Sequence, residues 1–263
     1  QAHDLFKRAN REVKMKILAL LFILLSLNVC GQSIKVPSYF GIHYRTVFPN
    51  NFVGSKSVTL VNQEFTSTCL QKTGYSIGAT VRAGITKLIA FETGINLIHR
   101  NFHLNMSAAD SNQFAERDLS FLSYDIPLNC LIYIKLNKSW YANASLGIAA
   151  SYKPSTIGGV NNTGGNHSFI HTGYVDYKKK FTADFNGNIG FEFRSKKSGF
   201  FYLGGSVQIP LAPLFILAGM YKYEGYELVS IANVNGSFLS LDLKFFFPNT
   251  KSNGSTFRPG PIE

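Results

Sequence analysis

Ten charged side chains lie inside the apolar-looking stretches of this chain, and all ten fall on one parity. They are Arg45, Arg82, Glu92, Asp125, Lys135, Asp184, Glu192, Arg194, Asp242 and Lys244, while the opposite parity in the same stretches carries no charge. Successive side chains of a β-strand point to opposite faces, so this pattern predicts a strand-built wall with one ionic face and one apolar face. Between Tyr75 and Leu97 the apolar set reads Tyr75, Ile77, Ala79, Val81, Ala83, Ile85, then Ile89, Phe91, Thr93, Ile95, Leu97. Gly78, Thr80, Arg82, Glu92 and Asn96 interleave with it. Hydrocarbon outside and a polar interior suit such a wall, as in a membrane β-barrel. One Lys or Arg facing lipid at the midplane costs about 2 to 4 kcal/mol, so a one-residue slip on several strands is prohibitive and the register is well determined.

Eight segments satisfy the alternation: Tyr39–Phe48, Thr73–Ile85, Ile89–Asn101, Leu119–Leu136, Trp140–Tyr152, Lys180–Arg194, Phe200–Leu211 and Ser237–Phe247. Each is long enough to cross a bilayer as a tilted strand, which takes about 9 to 11 residues. The connections alternate between long (Pro49–Lys72, Phe102–Asp118, Lys153–Lys179, Ala212–Gly236) and short (Thr86–Leu88, Asn137–Ser139, Ser195–Gly199). Short turns on one side and long loops on the other are how outer-membrane barrels are built, with the long loops extracellular. An even strand count leaves both termini periplasmic. The expectation is an all-β fold: an eight-stranded antiparallel up-and-down transmembrane β-barrel with a filled polar interior. Aromatics near the expected strand ends, among them Tyr39, Trp140, Phe193, Phe201 and Phe245 below and Phe48, Tyr75, Tyr152 and Phe181 above, match the interfacial girdles of such barrels.

Eight strands enclose a space that side chains fill, so the expectation is a plugged barrel and no pore. Buried charges in it must pair. If Thr86, Lys87 and Leu88 form a three-residue turn, Arg82 stands opposite Glu92 on the inward face, and the two form an ion pair. A self-satisfied polar core is the plain reading of these charges; a proton or ion pathway is the alternative.

Residues 1–14 read as an upstream extension without fold value. From Met15 to Gly31 the chain reads as a secretory signal, because the apolar run Ile17–Leu27 is too short for a membrane helix and matches a signal peptide's apolar region. Cleavage after Gly31 is expected, with a lipidated Cys30 as the alternative. Residues 32–247 form the barrel, and 248–263, rich in Pro, Gly, Ser and Asn, a disordered tail. Residues 1–31 carry five basic and two acidic side chains, so the remainder holds a charge of +8 against +11 for the whole. That surplus sits in loops and turns such as Lys178–Lys180, as solvated rims beside anionic head groups do, so no nucleic-acid partner is expected. Cys69, placed in a loop, and Cys130, placed in mid-strand facing lipid, imply no disulfide.

No glycine-rich phosphate loop, zinc-type Cys/His spacing or Gly-x-Ser-x-Gly elbow occurs, and no cofactor or metal is expected. His99 and His103 are rim histidines, and His99 falls on the outward parity, where a lipid-modifying acyl hydrolase or transferase could meet the outer leaflet. His167 and His171 lie in a Gly/Asn-rich loop where a four-residue spacing has no helix to serve. The segment Leu214–Tyr226 is too apolar and aromatic for a mobile loop; a β-extension packing on its neighbours is the plain reading, a binding surface the sharper one. A soluble lipocalin-like binder requires apolar inside and polar outside, the reverse of this pattern.

Tyr124-Asp125-Ile126-Pro127-Leu128 resembles the Tyr-x-Glu-Ile-Pro-Leu signature at the fourth strand of the outer-membrane β-barrel domain proteins of Bacteroidetes, a group of small OmpA-type barrels that includes PorT-like proteins. Asp125 stands where that family more often has Glu. Ala144–Ile148, Gly204-Gly205-Ser206 and Leu239–Phe245 are similar to it as well. The resemblance implies an outer-membrane location in a Gram-negative cell, with lipid around the barrel and an envelope or secretion-system protein as the kind of partner. It implies architecture far more than activity, since a fold does not fix function; a structural or interaction role without catalysis is the expectation.

Overall fold

The computed structural model describes residues 38–248, apart from 53, 87, 155, 165, 178, 179, 196 and 197. The expected extension at 1–14, the signal at 15–31 and all of the tail but Pro248 lie outside the described residues.

The fold is all β, with thirteen strands: β1 (Ser38–Pro49), β2 (Ser57–Asn62), β3 (Phe65–Gly84), β4 (Ile89–Ala108), β5 (Gln113–Lys135), β6 (Trp140–Tyr152), β7 (Ile157–Gly164), β8 (His167–Tyr174), β9 (Phe181–Ser195), β10 (Gly199–Pro210), β11 (Phe215–Tyr223), β12 (Tyr226–Val234) and β13 (Phe238–Phe246). A nine-stranded antiparallel sheet runs β1-β13-β10-β9-β6-β5-β4-β3-β2, and β1 pairs also with β3. The ladder therefore returns on itself, with β2 attached only along the upper part of β3. A second sheet runs β12-β11-β8-β7.

Where eight strands joined by long loops were expected, the long connections are themselves β structure. Three of the strands continue without a break: β3 and β4 have 20 residues and β5 has 23. The connections 153–179 and 212–236 each contain or contribute a hairpin of the second sheet. The reason is visible in β4. Its outward residues are apolar and exposed at Ile89, Phe91 and Ile95, then become Asn101, His103, Asn105 and Ser107. Its inward residues are Glu92, Asn96 and Arg100 lower down, then Phe102, Leu104, Met106 and Ala108 above, all buried. The strand keeps its period while its polarity inverts. A search for apolar-out alternation stops at that inversion, although the ladder continues.

Above the inversion the inward faces of β3, β4 and β5 and of the second sheet enclose an ordinary apolar core, in which Phe65, Phe102, Leu104, Met106, Phe121, Phe169, Phe215 and Leu217 are fully buried. Phe215 packs edge-on to Phe102 at 5.3 Å and lies 5.4 Å from Phe121. Cys69 belongs to this core on β3, a correction to its expected place in a loop, and burial pushes its thiol up to about 12. The hairpin β11–β12 turns on Glu224 (φ 45°) and Gly225 (φ 87°), a two-residue loop with both φ positive, as the right-handed twist of the flanking strands favours. In the resembling motif, Pro127 has no N–H to donate, and the β4–β5 pairing is interrupted between Thr93↔Leu128 and Asn96↔Asp125 while its register stays the same.

His171, expected in an irregular loop, stands on β8 with both ring nitrogens buried and without hydrogen-bond partners. Burial first, and then the Arg117 guanidinium, hold its pKa below the usual histidine value. The opened chain binds this proton more readily than the folded one, so stability is complete above the unfolded value of about 6.5 and is lost as pH falls below it. Protection factors of the β8 and β11 amides, taken relative to intrinsic exchange at each pH, should fall between pH 7.5 and 5 in the native protein, and this acid dependence should shrink in His171→Leu; an unchanged profile would remove His171 as its source.

Candidate functional site

The interior of the closed ring holds the ions. Of the ten charges expected there, Arg45, Arg82, Glu92, Asp125, Asp184, Glu192, Arg194, Asp242 and Lys244 are enclosed, none more than 7 % exposed. Lys135 is the correction: it is the last residue of β5 and lies exposed, since a strand end lets a long cationic side chain reach water. Two further ions are enclosed, Arg100 and Lys153. Arg100 lies within the expected segment Ile89–Asn101 on the parity of Glu92 and Asn96, so the alternation already marked it inward, and Lys153 follows outward-facing Tyr152 one step beyond its segment.

The enclosed groups form three clusters along the strands. In the first, β3 and β4 place Arg82 opposite Glu92, and the guanidinium donates to Glu92 Oε2 through Nη2 at 2.7 Å and Nε at 3.0 Å. Arg82 Nη1 also donates to Glu192, and Lys244 to Glu92. Arg194 donates to the other oxygen of Glu192. Aromatic faces complete the shell: Phe246 lies 4.0 Å from the Arg82 guanidinium and Tyr141 4.1 Å from that of Arg194. Planar guanidinium ions suit such a site, being weakly hydrated and able to stack while forking onto carboxylates.

The second cluster surrounds Asp242, which accepts from Ser240 Oγ at 2.6 Å, Ser206 Oγ at 3.1 Å and Asn188 Nδ2 at 3.3 Å, with Arg45 Nε 3.8 Å away. Tyr202 lies over Gly204 and donates to Asn188 Oδ1 at 2.8 Å. A Cβ on Gly204 would stand 2.0 Å from that phenol oxygen, so glycine is required there. The third cluster joins Asp125 and Asp184 through Gln208 Nε2, at 3.1 and 2.7 Å. Ser151 donates to Asp184 at 2.9 Å and Arg100 to Ser123 at 2.7 Å. Lys153 Nζ donates to the Pro213 carbonyl at 2.8 Å.

Buried aromatics lie at one end of this column, where Tyr39 packs on Phe200 at 4.8 Å and Tyr133 and Tyr141 cluster with Ala90 and Leu131. The apolar upper core covers the other end. A water-filled pore would leave the enclosed ions accessible, and they are not.

The rim histidines take two different roles. His99 stacks on Tyr75 at 4.9 Å. His103 Nδ1 lies 2.7 Å from Asp118 Oδ1, and Lys72 Nζ 3.6 Å from the same oxygen. The His103 hydrogen bond and the Lys72 charge hold the Asp118 carboxyl below its usual range. Among the described residues neither histidine is hydrogen-bonded to a hydroxyl or thiol, and no group of three or more metal-ligating side chains occurs. His167 stacks on Tyr223 at 4.0 Å, and its Nδ1 meets the Tyr221 hydroxyl at 2.6 Å.

Removing one partner of a buried pair strands the other charge, at about 3 to 5 kcal/mol. Glu92→Gln, which strips the charged partner of both Arg82 and Lys244, should lower the unfolding free energy of refolded protein, measured by urea titration, by that order. Lys135→Ala should change it by less than about 0.5 kcal/mol. Equal effects of the two substitutions would contradict the enclosed network.

No family model and no curated protein matches the chain. Among solved structures, the β domain of the Bordetella autotransporter BrkA is similar over 81 % of this chain and 99 % of its own, at 9 % identity and a TM-score of 0.29. A bacterial polysaccharide outer membrane secretin is similar over 80 % of this chain and 98 % of its own, at 7 % identity and a TM-score of 0.13. Likeness at this level adds nothing to the geometry.

Proposed function

We propose that this protein is an integral outer-membrane β-barrel, with β1, β3, β4, β5, β6, β9, β10 and β13 as its eight transmembrane staves and a structural or interaction role in the cell envelope. One observation carries the reading: around the whole ring, exposed apolar side chains face outward while the ions are enclosed. Ile42, Ile77, Ile95, Ile126, Leu146, Ile189, Leu203 and Leu241, one from each stave, are all exposed. Water gives no reason for such a surface, whereas hydrocarbon does. Aromatic pairs at the ends of the band support it, with Trp140 on Phe193 at 5.2 Å and Phe201 on Phe245 at 4.9 Å at one end. Tyr152 on Phe181 at 4.8 Å marks the other.

Both termini of the ring then lie on the short-turn, periplasmic side, and the upper core and second sheet stand outside the cell. The resemblance to the Bacteroidetes barrel family fits that arrangement and favours an envelope or secretion-system protein as partner. A non-catalytic role is favoured because His99 and His103 lack the hydroxyl or thiol neighbour that a nucleophile–base pair needs.

Ile189→Arg, in mid-wall on β9, should weaken folding into lipid vesicles by about 2 to 4 kcal/mol, while Asn105→Arg, on the outward face above the band, should fold as the native chain does. Recovery of the native chain as a freely soluble protein, outside the membrane fraction, would refute the proposal. Planar bilayers should show no large, steady conductance. Alanine at both His99 and His103 should leave lipid A and phospholipid profiles unchanged; an altered profile would revive the alternative of a lipid-modifying enzyme.

A further inference from the structure

Charge is divided unequally between the two ends of the ring. The long connections, residues 49–72, 102–118, 154–180 and 212–236, carry seven basic and seven acidic side chains. The short connections, residues 85–88, 135–139 and 195–199, carry five lysines, Lys87, Lys135, Lys138, Lys196 and Lys197, and no acidic side chain. Pairing differs accordingly. At the upper end Lys72 lies 3.6 Å from Asp118, and Lys222 pairs with Glu227. Lys135 and Lys138 are exposed, and among the described residues no carboxylate lies within ion-pairing distance of either.

The three short connections stand side by side. Tyr133 N donates to the Leu88 carbonyl at 3.0 Å and Arg194 N to that of Ser139 at 2.8 Å, so they follow one another along six of the eight staves, β3, β4, β5, β6, β9 and β10. Apolar side chains share this rim. Leu88, Ile134, Leu136 and Trp140 are 58, 64, 55 and 45 % exposed, and Trp140 packs on Phe193. A water-soluble polyanion would meet the ammonium groups and leave those side chains in water. An amphiphile whose acidic head joins an apolar body meets both.

We propose that this rim binds acidic glycerophospholipids, with Lys135 and Lys138 holding the head-group phosphates. The inference rests on the outer-membrane reading, which sets the short turns at the head-group level of the periplasmic leaflet. There the stem of each lysine runs along the apolar edge while its ammonium reaches the phosphate. Zwitterionic head groups bring an ammonium of their own, and a rim with lysines and no carboxylate repels it. The rim therefore selects acidic lipids, and the balanced upper end does not.

Trp140 is the single tryptophan of the chain, so its fluorescence reports the lipid beside Lys138. In vesicles of equal phosphatidylglycerol and phosphatidylcholine, with one of the two brominated near the head group, brominated phosphatidylglycerol should quench Trp140 about five-fold more strongly, the factor for one lysine at an acidic surface. Lys135→Gln combined with Lys138→Gln should remove most of that preference. Lys72→Gln combined with Lys222→Gln, the same change of charge at the other end, should leave it intact. Equal quenching by the two lipids in the inserted native protein overturns the proposal, and so does a preference unchanged by loss of Lys135 and Lys138. Equal quenching together with retention on heparin gives the rim to a soluble polyanion and overturns it too. A native chain that fails to insert at all removes the outer-membrane reading as well.

Discussion

Where a charge can stand decides this structure. An ion is tolerated in water or in a paired, hydrogen-bonded interior, and in hydrocarbon it is expensive. Along β4 the inward side changes from Glu92, Asn96 and Arg100 to Phe102, Leu104 and Met106, while the outward side changes from Phe91 and Ile95 to Asn105 and Ser107. Backbone geometry and hydrogen bonding continue through that change. One ladder thus carries two arrangements, inside-out below and conventional above, and polarity exchanges sides at one level along it.

Enclosing ions keeps them off the apolar outer face and creates a second requirement, because each buried charge must then find partners. The structure meets it by concentration. Glu92 and Glu192 are shared among Arg82, Arg194 and Lys244, and Asp242 draws on two serines and an asparagine. Glycines facing inward let large groups such as Tyr202 lie across them. The result is a packed polar column whose ions are closed off from water.

Much of this was legible in the sequence because period two has no slack. Parity and a three-residue turn after Ile85 put Arg82 beside Glu92, and parity assigned nine of ten ions correctly to the interior. It went wrong at Lys135, where a strand end relaxes the rule, and left out Arg100, in the middle of β4, and Lys153, just past the end of β6. The long strands and the second sheet were hidden for a different reason. Above the inversion the pattern becomes that of a soluble protein, and short segments such as Ile157–Gly164, rich in Gly and Asn, read as loop by composition. Their strand identity comes from a partner distant in sequence, which local pattern does not report. The His103–Asp118 pair was hidden likewise, since it joins residues on opposite arms of a hairpin.

The unbroken length of β5 has a mechanical corollary. At about 3.3 Å per residue, its 23 residues make a beam of roughly 75 Å, laced to β4 on one side from Ile132, opposite Ile89, to the hairpin at Gln113. No linker interrupts it, so the distal tip has no swivel of its own. A load applied to that tip is borne directly by the staves of the closed ring, and the molecule would respond to it as a rigid post.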